Sequence, residues 1–424
     1  MIGARPRPFS LRAYRAVAGL GAPLARPLLE ARARRGKEDP ARLGERLGHA
    51  SAPRPNGALA WLHAVSVGES VSLLPLIGAL AAERPDLSIL VTSGTRASAE
   101  ILARRLPPQA LHQYAPVDTP GAVERFLTHW RPDVGFFVES ELWPNLNLAA
   151  REAGVRLALV SARMTEKSAR AWSARPAAVR LVLESFELVL AQDADTAARL
   201  TQLGARVAGR LNLKRVGDPL ACEPAELARL KAEIGARPVV VAISTHAGEE
   251  ALIAGATAGL GEDVLTILVP RHPERGAEIA FELADRRVAR RSRGEPVTGA
   301  NQIYVADTLN ELGLFLRLAD IAVMGGGFAR GFGGHNPLEP ARLGLGVISG
   351  PIVFNHADAF AELADAGGAR LVDDGAGLAA VLAALLANRA ALAAFNAAAL
   401  AFAERQGDQL GAGLDLIRPL LPAA

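Results

Sequence analysis

The sequence predicts an α/β protein made of two Rossmann-like, doubly wound domains. Three observations lead there. From residue 57 onward, short apolar runs alternate with helical stretches, the pattern of βαβ units. The runs are nearly continuously apolar, as parallel strands covered on both faces should be. The chain has 424 residues, too many for one ordinary core, and each half of the alternating region is the size of one such domain.

In the first half the predicted strands are ALAWLHAV (58–65), LSILVTSG (87–94), LHQYAPV (111–117), VGFFVES (134–140), RLALVSA (156–162) and ELVLAQ (187–192). Helical stretches such as VSLLPLIGALAAE, ASAEILARRL and AVERFLTHW separate them. The alternation resumes with PVVVAIS (238–244), LTILVPR (265–271), QIYVAD (302–307), IAVMGGG (321–327), LGVISG (345–350) and ARLVDD (369–374). A boundary falls near residues 210–222, where LNLKRVGDPLACEP breaks both patterns with glycine and two prolines. Three segments result: residues 1–40, a basic and apolar N-terminal segment; 41–215, a first Rossmann-like domain; and 216–424, a second one ending in Ala/Leu-rich helices. Two such domains with facing carboxyl edges predict a central cleft, a preferred ligand site.

Half the residues are hydrophobic and 21% are charged, a globular composition. Cys222 is the only cysteine, which excludes an intrachain disulfide and a cysteine-based metal site and suggests a reducing compartment. The net charge of +3 is unevenly spread. Residues 1–54 hold 12 Lys/Arg against 4 Asp/Glu, a surplus of eight, so the remainder carries a deficit of five. Within this segment, AYRAVAGLGAPLARPLL (13–29) is apolar but short, and Arg15, Arg26, Pro23 and Pro27 interrupt it. A spanning helix needs about 20 mostly apolar residues. An apolar stretch flanked by arginines suits an interfacial element on an anionic membrane surface. The bland alternative is a helix packed on the protein with its arginines solvated. Nucleic acid is not expected as a partner, since no aromatic-interleaved basic face follows.

Polar and glycine-rich clusters follow the strands in both halves. In HAVSVGES (63–70), Ser66 and Glu69 have the S-x-x-E spacing of a capping box. A carboxylate there also lies at the carboxyl end of a parallel strand, where open α/β sheets bind ligands. VESELWPN (138–145) puts Glu139 and Glu141 on one face of an extended chain, just before Pro144 opens a helix. SARMTEKSARAW (161–172) brings Arg163, Lys167 and Arg170, an anion site or a solvated face. STHAGEE (244–250) opens a helix with Ser244, Thr245 and His246, whose N–H groups suit an anion. VPRHPERGAEI (269–279) adds Arg271, His272 and Arg275, cations suited to phosphate or carboxylate. The stretch 325–360 is the most informative. Gly325, Gly326 and Gly327 end a strand, Gly333 and Gly334 permit close backbone approach, and Asn336, Pro337 and Glu339 form a helix start. A Gly-rich loop feeding a helix N-terminus suits a phosphate, and no GxxxxGK[ST] is present. No pair of histidines has the spacing of a zinc site.

The ordered set HAVSVGES, ESELWPN, SAR, NLK, STHAGEE, VPRHPER, GGHNPLEP and GPIVFN resembles the 3-deoxy-D-manno-octulosonic acid (Kdo) transferases of lipopolysaccharide synthesis. The resemblance runs from about residue 35 to about residue 400. It implies a GT-B glycosyltransferase with the acceptor site in the first domain and the nucleotide site in the second. The implied donor is CMP-Kdo, and the implied acceptor is a lipid A precursor (lipid IVA) at the cytoplasmic face of the bacterial inner membrane. The resemblance implies inverting transfer, with neither a metal nor another cofactor.

Glu69 matches the family's general base. Glu139 and Glu141 match its second acidic motif, one of them positioning the acceptor or supporting the base. Ser66, Gly68 and Arg163 fall to the acceptor. Lys214, Arg271, His272, Arg275 and the N–H groups at 244–246 and 325–327 fall to the donor phosphate, Asn336 and Glu339 to the ribose. Asn355 matches the asparagine after G-P. The chain departs from the family pattern in having Gly327 where serine is usual, a FARGF loop about a residue longer, GRLNLK in place of G-N-L-K, and His356 in place of an aromatic. Two rival readings are a GT-B enzyme using a UDP-sugar and a membrane-bound sugar-nucleotide scaffold without turnover.

Overall fold

A computed structural model describes residues 6–217 and 219–423. Residues 1–5 of the expected N-terminal segment, and Asp218 in the expected boundary, lie outside the described residues. The chain divides into two units, residues 1–217 with 407–424, and residues 218–406.

The first unit is built on a seven-stranded parallel sheet: β1 (Leu59–His63), β2 (Ser88–Ser93), β3 (Ala110–Tyr114), β4 (Val134–Glu139), β5 (Arg156–Ala162), β6 (Phe186–Ala191) and β7 (Val207–Arg210). Their order is β3-β2-β1-β4-β5-β6-β7. The apolar runs are continuous because both faces are covered. Trp61 of β1 and Phe137 of β4 enter the core on one face, while Leu62 and Phe136 enter the core on the other. The order reverses between β1 and β4, so the crevice beyond their carboxyl ends is the unit's switch point.

The second unit repeats the plan with β8 (Val239–Thr245), β9 (Leu265–Pro270), β10 (Val288–Arg290), β11 (Ile303–Val305), β12 (Ile321–Met324), β13 (Val347–Ser349) and β14 (Ala369–Leu371). The order is β10-β11-β9-β8-β12-β13-β14, again all parallel, and it reverses between β8 and β12. Val241 and Ile243 pack on one face of this sheet, Val240 and Ala242 on the other.

Twelve of these strands coincide with predicted apolar runs. The other two, β7 and β10, are short edge strands, with half of β7 exposed and β10 only three residues long. An edge strand needs no continuous apolar run, so periodicity does not mark it. The C-terminus also differs from the expected grouping of 216–424. The helix Arg389–Ile417 continues past residue 406 into the first unit, where Leu414 and Ile417 join the core containing Leu211 and Leu213. Arg84 there donates to the Pro422 carbonyl at 2.8 Å. Helical spacing predicts a buried stripe but not which core receives it.

Two N-terminal helices, Phe9–Leu20 and Ala22–Arg34, bury only Leu11 and Leu29. Phe9, Val17, Leu20, Leu24 and Leu28 remain exposed, Leu20 by 83%. Among the described residues no single helix is long and apolar enough to cross a membrane. One bent pair, Gly375–Ala387 with Arg389–Leu420, passes that test together, but it breaks by 107° and puts Leu378, Leu382 and Phe395 into a core.

Candidate active site

The candidate residues gather at the two switch points. In the first unit, Ser66 follows β1 and caps the helix Val67–Ser72. The capping box is complete: Glu69 N–H donates to Ser66 Oγ at 3.3 Å, and Glu69 Oε2 accepts from the N–H of Ser66 at 3.4 Å. The same oxygen accepts from Val65 N–H at 2.7 Å, and Ser66 Oγ–H donates to Oε1 at 2.8 Å. A carboxylate has about four lone-pair sites. Among the described residues three are used, and one on Oε1 stays open. The fold therefore orients Glu69 through its cap and leaves one oxygen able to receive a proton. The side chain is half-buried beside the exposed Ser66 and Gly68.

Glu139 ends β4 and Glu141 follows it, and each is 8% exposed. Glu139 is in left-handed backbone (φ 54°), an unusual place for a glutamate. Its carboxylate pairs with Lys214 Nζ. On the neighbouring strand β5, Ser161 is an extra, bulged residue, also left-handed (φ 50°). Its hydroxyl accepts from Leu213 N–H at 3.2 Å, which fixes the turn carrying Lys214. Lys214 thus lies with the acidic cluster of the first unit, whereas the family pattern assigned it to the donor phosphate. Arg163 is exposed, and its N–H donates to the Glu139 carbonyl at 3.1 Å.

Glu141 accepts from Trp143 Nε1–H. Its Oε2 is 3.7 Å from His63 Nε2, a buried nitrogen with no hydrogen-bond partner. Thr92 Oγ1, 2.9 Å from His63 Nδ1, holds the other side of that ring. Asp118, after β3, accepts from the N–H groups of Asn145 (3.2 Å) and Leu146 (2.8 Å) and from Tyr14 Oη–H (2.9 Å). Burial pushes its carboxyl up, and those donors pull the other way. It anchors the helix Pro144–Glu152 that follows the acidic motif. Sequence reasoning missed His63 and Asp118. The only signal for either was a polar residue near a strand's carboxyl end.

In the second unit, Ser244 is the bulged residue of β8, with φ 53°. The bulge delivers Thr245 and His246 to the edge. Glu249 and Glu250, at the start of the helix Glu249–Ala258, are 1% and 0% exposed. Glu249 accepts from the N–H groups of His246 (2.9 Å), Gly326 (2.7 Å) and Phe328 (2.9 Å). Gly325 N–H goes to the Ile243 carbonyl at 2.8 Å. Of the N–H groups at 244–246 and 325–327 expected to face the donor phosphate, those of His246, Gly325 and Gly326 are given to protein oxygens. Glu250 binds Arg275 at 2.7 Å and Thr245 Oγ1–H at 2.9 Å, so Arg275 is internally neutralised. Arg271 and His272 are exposed, and Arg271 forms no ion pair among the described residues.

His246 Nε2 lies 2.9 Å from His335 Nε2, and Phe332 stacks on His246 with ring centroids 3.7 Å apart. Burial lowers the pKa of both imidazoles, His335 to about 4, which suits a neutral pair sharing one proton. Asn336 Oδ1 caps Leu338 N–H at 3.1 Å, so the short helix Leu338–Ala341 begins one residue later than predicted. Glu339 makes no hydrogen bond among the described residues, and burial raises its pKa. Asn355 Nδ2–H donates to the Phe332 carbonyl at 2.6 Å, bracing the Gly-rich loop. Gly327 is required by packing. A Cβ there would lie 2.3 Å from Ser349 Oγ, so the serine hydroxyl of β13 occupies the space the usual serine at 327 would need.

Two doubly wound units, each with charged and glycine-rich loops at its switch point, have the architecture of GT-B glycosyltransferases. A solved glycosyltransferase from Rickettsia africae shares that fold, at TM-score 0.57 and 11% identity over 87% of this chain and all of that one (100%). Residues 41–215 match the family model described as 3-deoxy-D-manno-octulosonic-acid transferase (kdotransferase). A probable mitochondrial 3-deoxy-D-manno-octulosonic acid transferase of Arabidopsis thaliana is 40% identical over 356 residues, 81% of this chain and 80% of that protein. The Bordetella pertussis 3-deoxy-D-manno-octulosonic acid transferase is 40% identical over 354 residues, covering 79% and 80%. The chain belongs to the 3-deoxy-D-manno-octulosonic acid transferase family and is a glycosyltransferase.

Proposed function

We propose that the protein moves Kdo from CMP-Kdo to a sugar hydroxyl of a lipid A precursor such as lipid IVA, with inversion, at the cytoplasmic face of the bacterial inner membrane. Glu69 takes the hydroxyl proton on the open lone pair of Oε1 as the acceptor oxygen bonds to the anomeric carbon. The bond from that carbon to the phosphate oxygen breaks, and its electron pair leaves with CMP. Lys214 holds Glu139 in place, and Glu139 or Glu141 orients the acceptor. A Cβ at Gly68 would meet nothing within 4 Å, so the glycine answers no internal contact and leaves room for a sugar beside the base. In the second unit Arg271 attracts the donor phosphate, and Glu339, which makes no hydrogen bond among the described residues, is available to ribose hydroxyls.

One observation carries the reading: a carboxylate fixed at the switch point of the first sheet with a single oxygen lone pair left open. The exposed apolar residues of the N-terminal helices, in a segment with a surplus of eight positive charges, support attachment to an anionic membrane surface. The test is transfer from CMP-Kdo generated in situ to lipid IVA, with products resolved by mass. A product heavier by one or more Kdo residues is expected. Turnover with a UDP-sugar and none with CMP-Kdo would reject the reading.

A further inference from the structure

We propose that Glu249 is a specificity-determining residue, whose carboxylate fills the backbone N–H nest at the second switch point so that the site accepts a nucleoside monophosphate sugar and rejects a nucleoside diphosphate. The inference rests on the donor reading above and explains how the protein enforces it. In doubly wound folds the phosphates of a nucleotide sit where a Gly-rich strand end meets a helix N-terminus, held by backbone N–H groups. That meeting point here is β8, β12 and the helix Glu249–Ala258. Its N–H groups are aimed as an anion needs, but the anion is part of the protein. Glu249, 1% exposed, takes the N–H groups of His246, Gly326 and Phe328, all within 2.9 Å.

The same geometry limits what else can bind. Arg275 is occupied by Glu250 and Glu278. Among the described residues, Arg271 and the exposed Arg330 are cations near these loops that form no ion pair. A nucleoside monophosphate ester brings one phosphoryl group, which a single guanidinium can pair with. A diphosphate brings a second phosphoryl toward a nest already holding a negative charge, where the N–H groups of His246, Gly326 and Phe328 are already given to Glu249. Like charges in such a space exclude a competitor more effectively than added contacts favour the correct ligand.

The experiment compares CMP with CDP, which differ only in phosphoryl count, by calorimetric titration of the full-length wild type, Glu249→Gln and Glu249→Asp. The wild type should prefer CMP by at least about tenfold, the scale of one lost charged hydrogen bond. Glutamine removes the charge and turns an amide N–H toward one of the three donors. Aspartate is too short to reach all three. Each should narrow the CDP:CMP ratio of dissociation constants by about tenfold. A wild type that binds CDP as well as CMP overturns the inference, whether or not either variant folds. So does a folded variant that weakens both nucleotides equally, because a merely structural glutamate leaves the ratio unchanged. Failure of the wild type to bind CMP at all overturns the donor reading, and this inference with it.

Discussion

Glu69→Gln separates a helix cap from a catalytic base because the two roles differ in size. The glutamine keeps the Ser66 Oγ contact to the backbone N–H of residue 69. Its amide presents N–H to one side, so it can no longer accept on both oxygens from Val65, Ser66 and the Ser66 hydroxyl. Loss of that part of the cap costs about 1 kcal/mol, and loss of the charge at the helix N-terminus about 0.3–1 kcal/mol more. A domain of this size then melts about 2–8 °C lower. From even about 5 kcal/mol of stability, the loss leaves more than about 99% of the molecules folded. The stability change therefore cannot reduce turnover measurably at 25 °C. Removal of a general base, by contrast, lowers the rate by about 10²–10⁴-fold. The assay pairs a thermal melt with transfer to lipid IVA at saturating donor. A lower melting temperature with a hundredfold or greater loss of turnover fits both roles in one residue. Turnover within tenfold of wild type refutes the base assignment, and the lone pair left open on Oε1 then has no catalytic meaning.

Three further outcomes follow from the geometry. Burial, with the Arg42 guanidinium beside it, lowers the pKa of His112 from the ordinary 6.5 to about 3, and Arg42 Nη2–H donates to its Nδ1 at 3.2 Å. The imidazole is neutral in the fold, so its contribution to stability is complete above about pH 6.5 and is lost as pH falls toward 3, where the unfolded chain binds the proton first. His112→Gln should flatten that part of the denaturation-versus-pH curve. Glu250→Gln strands Arg275 without its main partner and should destabilise the second unit by about 3–5 kcal/mol, read by urea denaturation. Gly327→Ser should cost about 1–3 kcal/mol by overpacking against Ser349 and the Gly350 backbone, and adding Ser349→Gly should recover only part of it in the same assay, since the Gly350 N stays 2.9 Å from the new Cβ.

What could be read in advance followed from burial. Strands covered on both faces write themselves as apolar runs, so twelve strands and both switch points were legible. What could not be read depends on backbone that violates local preference. Glu139, Ser161 and Ser244 all lie in left-handed backbone at strand ends, a conformation their residue types do not favour. In Ser161 and Ser244 the extra residue is a parallel bulge. These distortions bring Lys214 toward Glu139 and His246 toward Glu249, so the pairing of the charged groups follows from strain that no composition signals. The first-turn glutamates make the same point in reverse. Glu69 and Glu249 occupy equivalent places, at the start of the helix after the first strand of each sheet, and either could be read as a residue favouring the helix dipole. Glu69 keeps an open oxygen and stays half-buried. Glu249 is fully enclosed and bound to N–H groups from both flanking loops. The difference lies in the loop beyond β12. Its glycines bring backbone N–H groups onto Glu249, whereas the carboxylate of Glu69 is bound only by groups of its own turn. One sequence signal, an acid in the first turn of a helix, thus marks the proposed proton acceptor in one domain and an internal anion in the other.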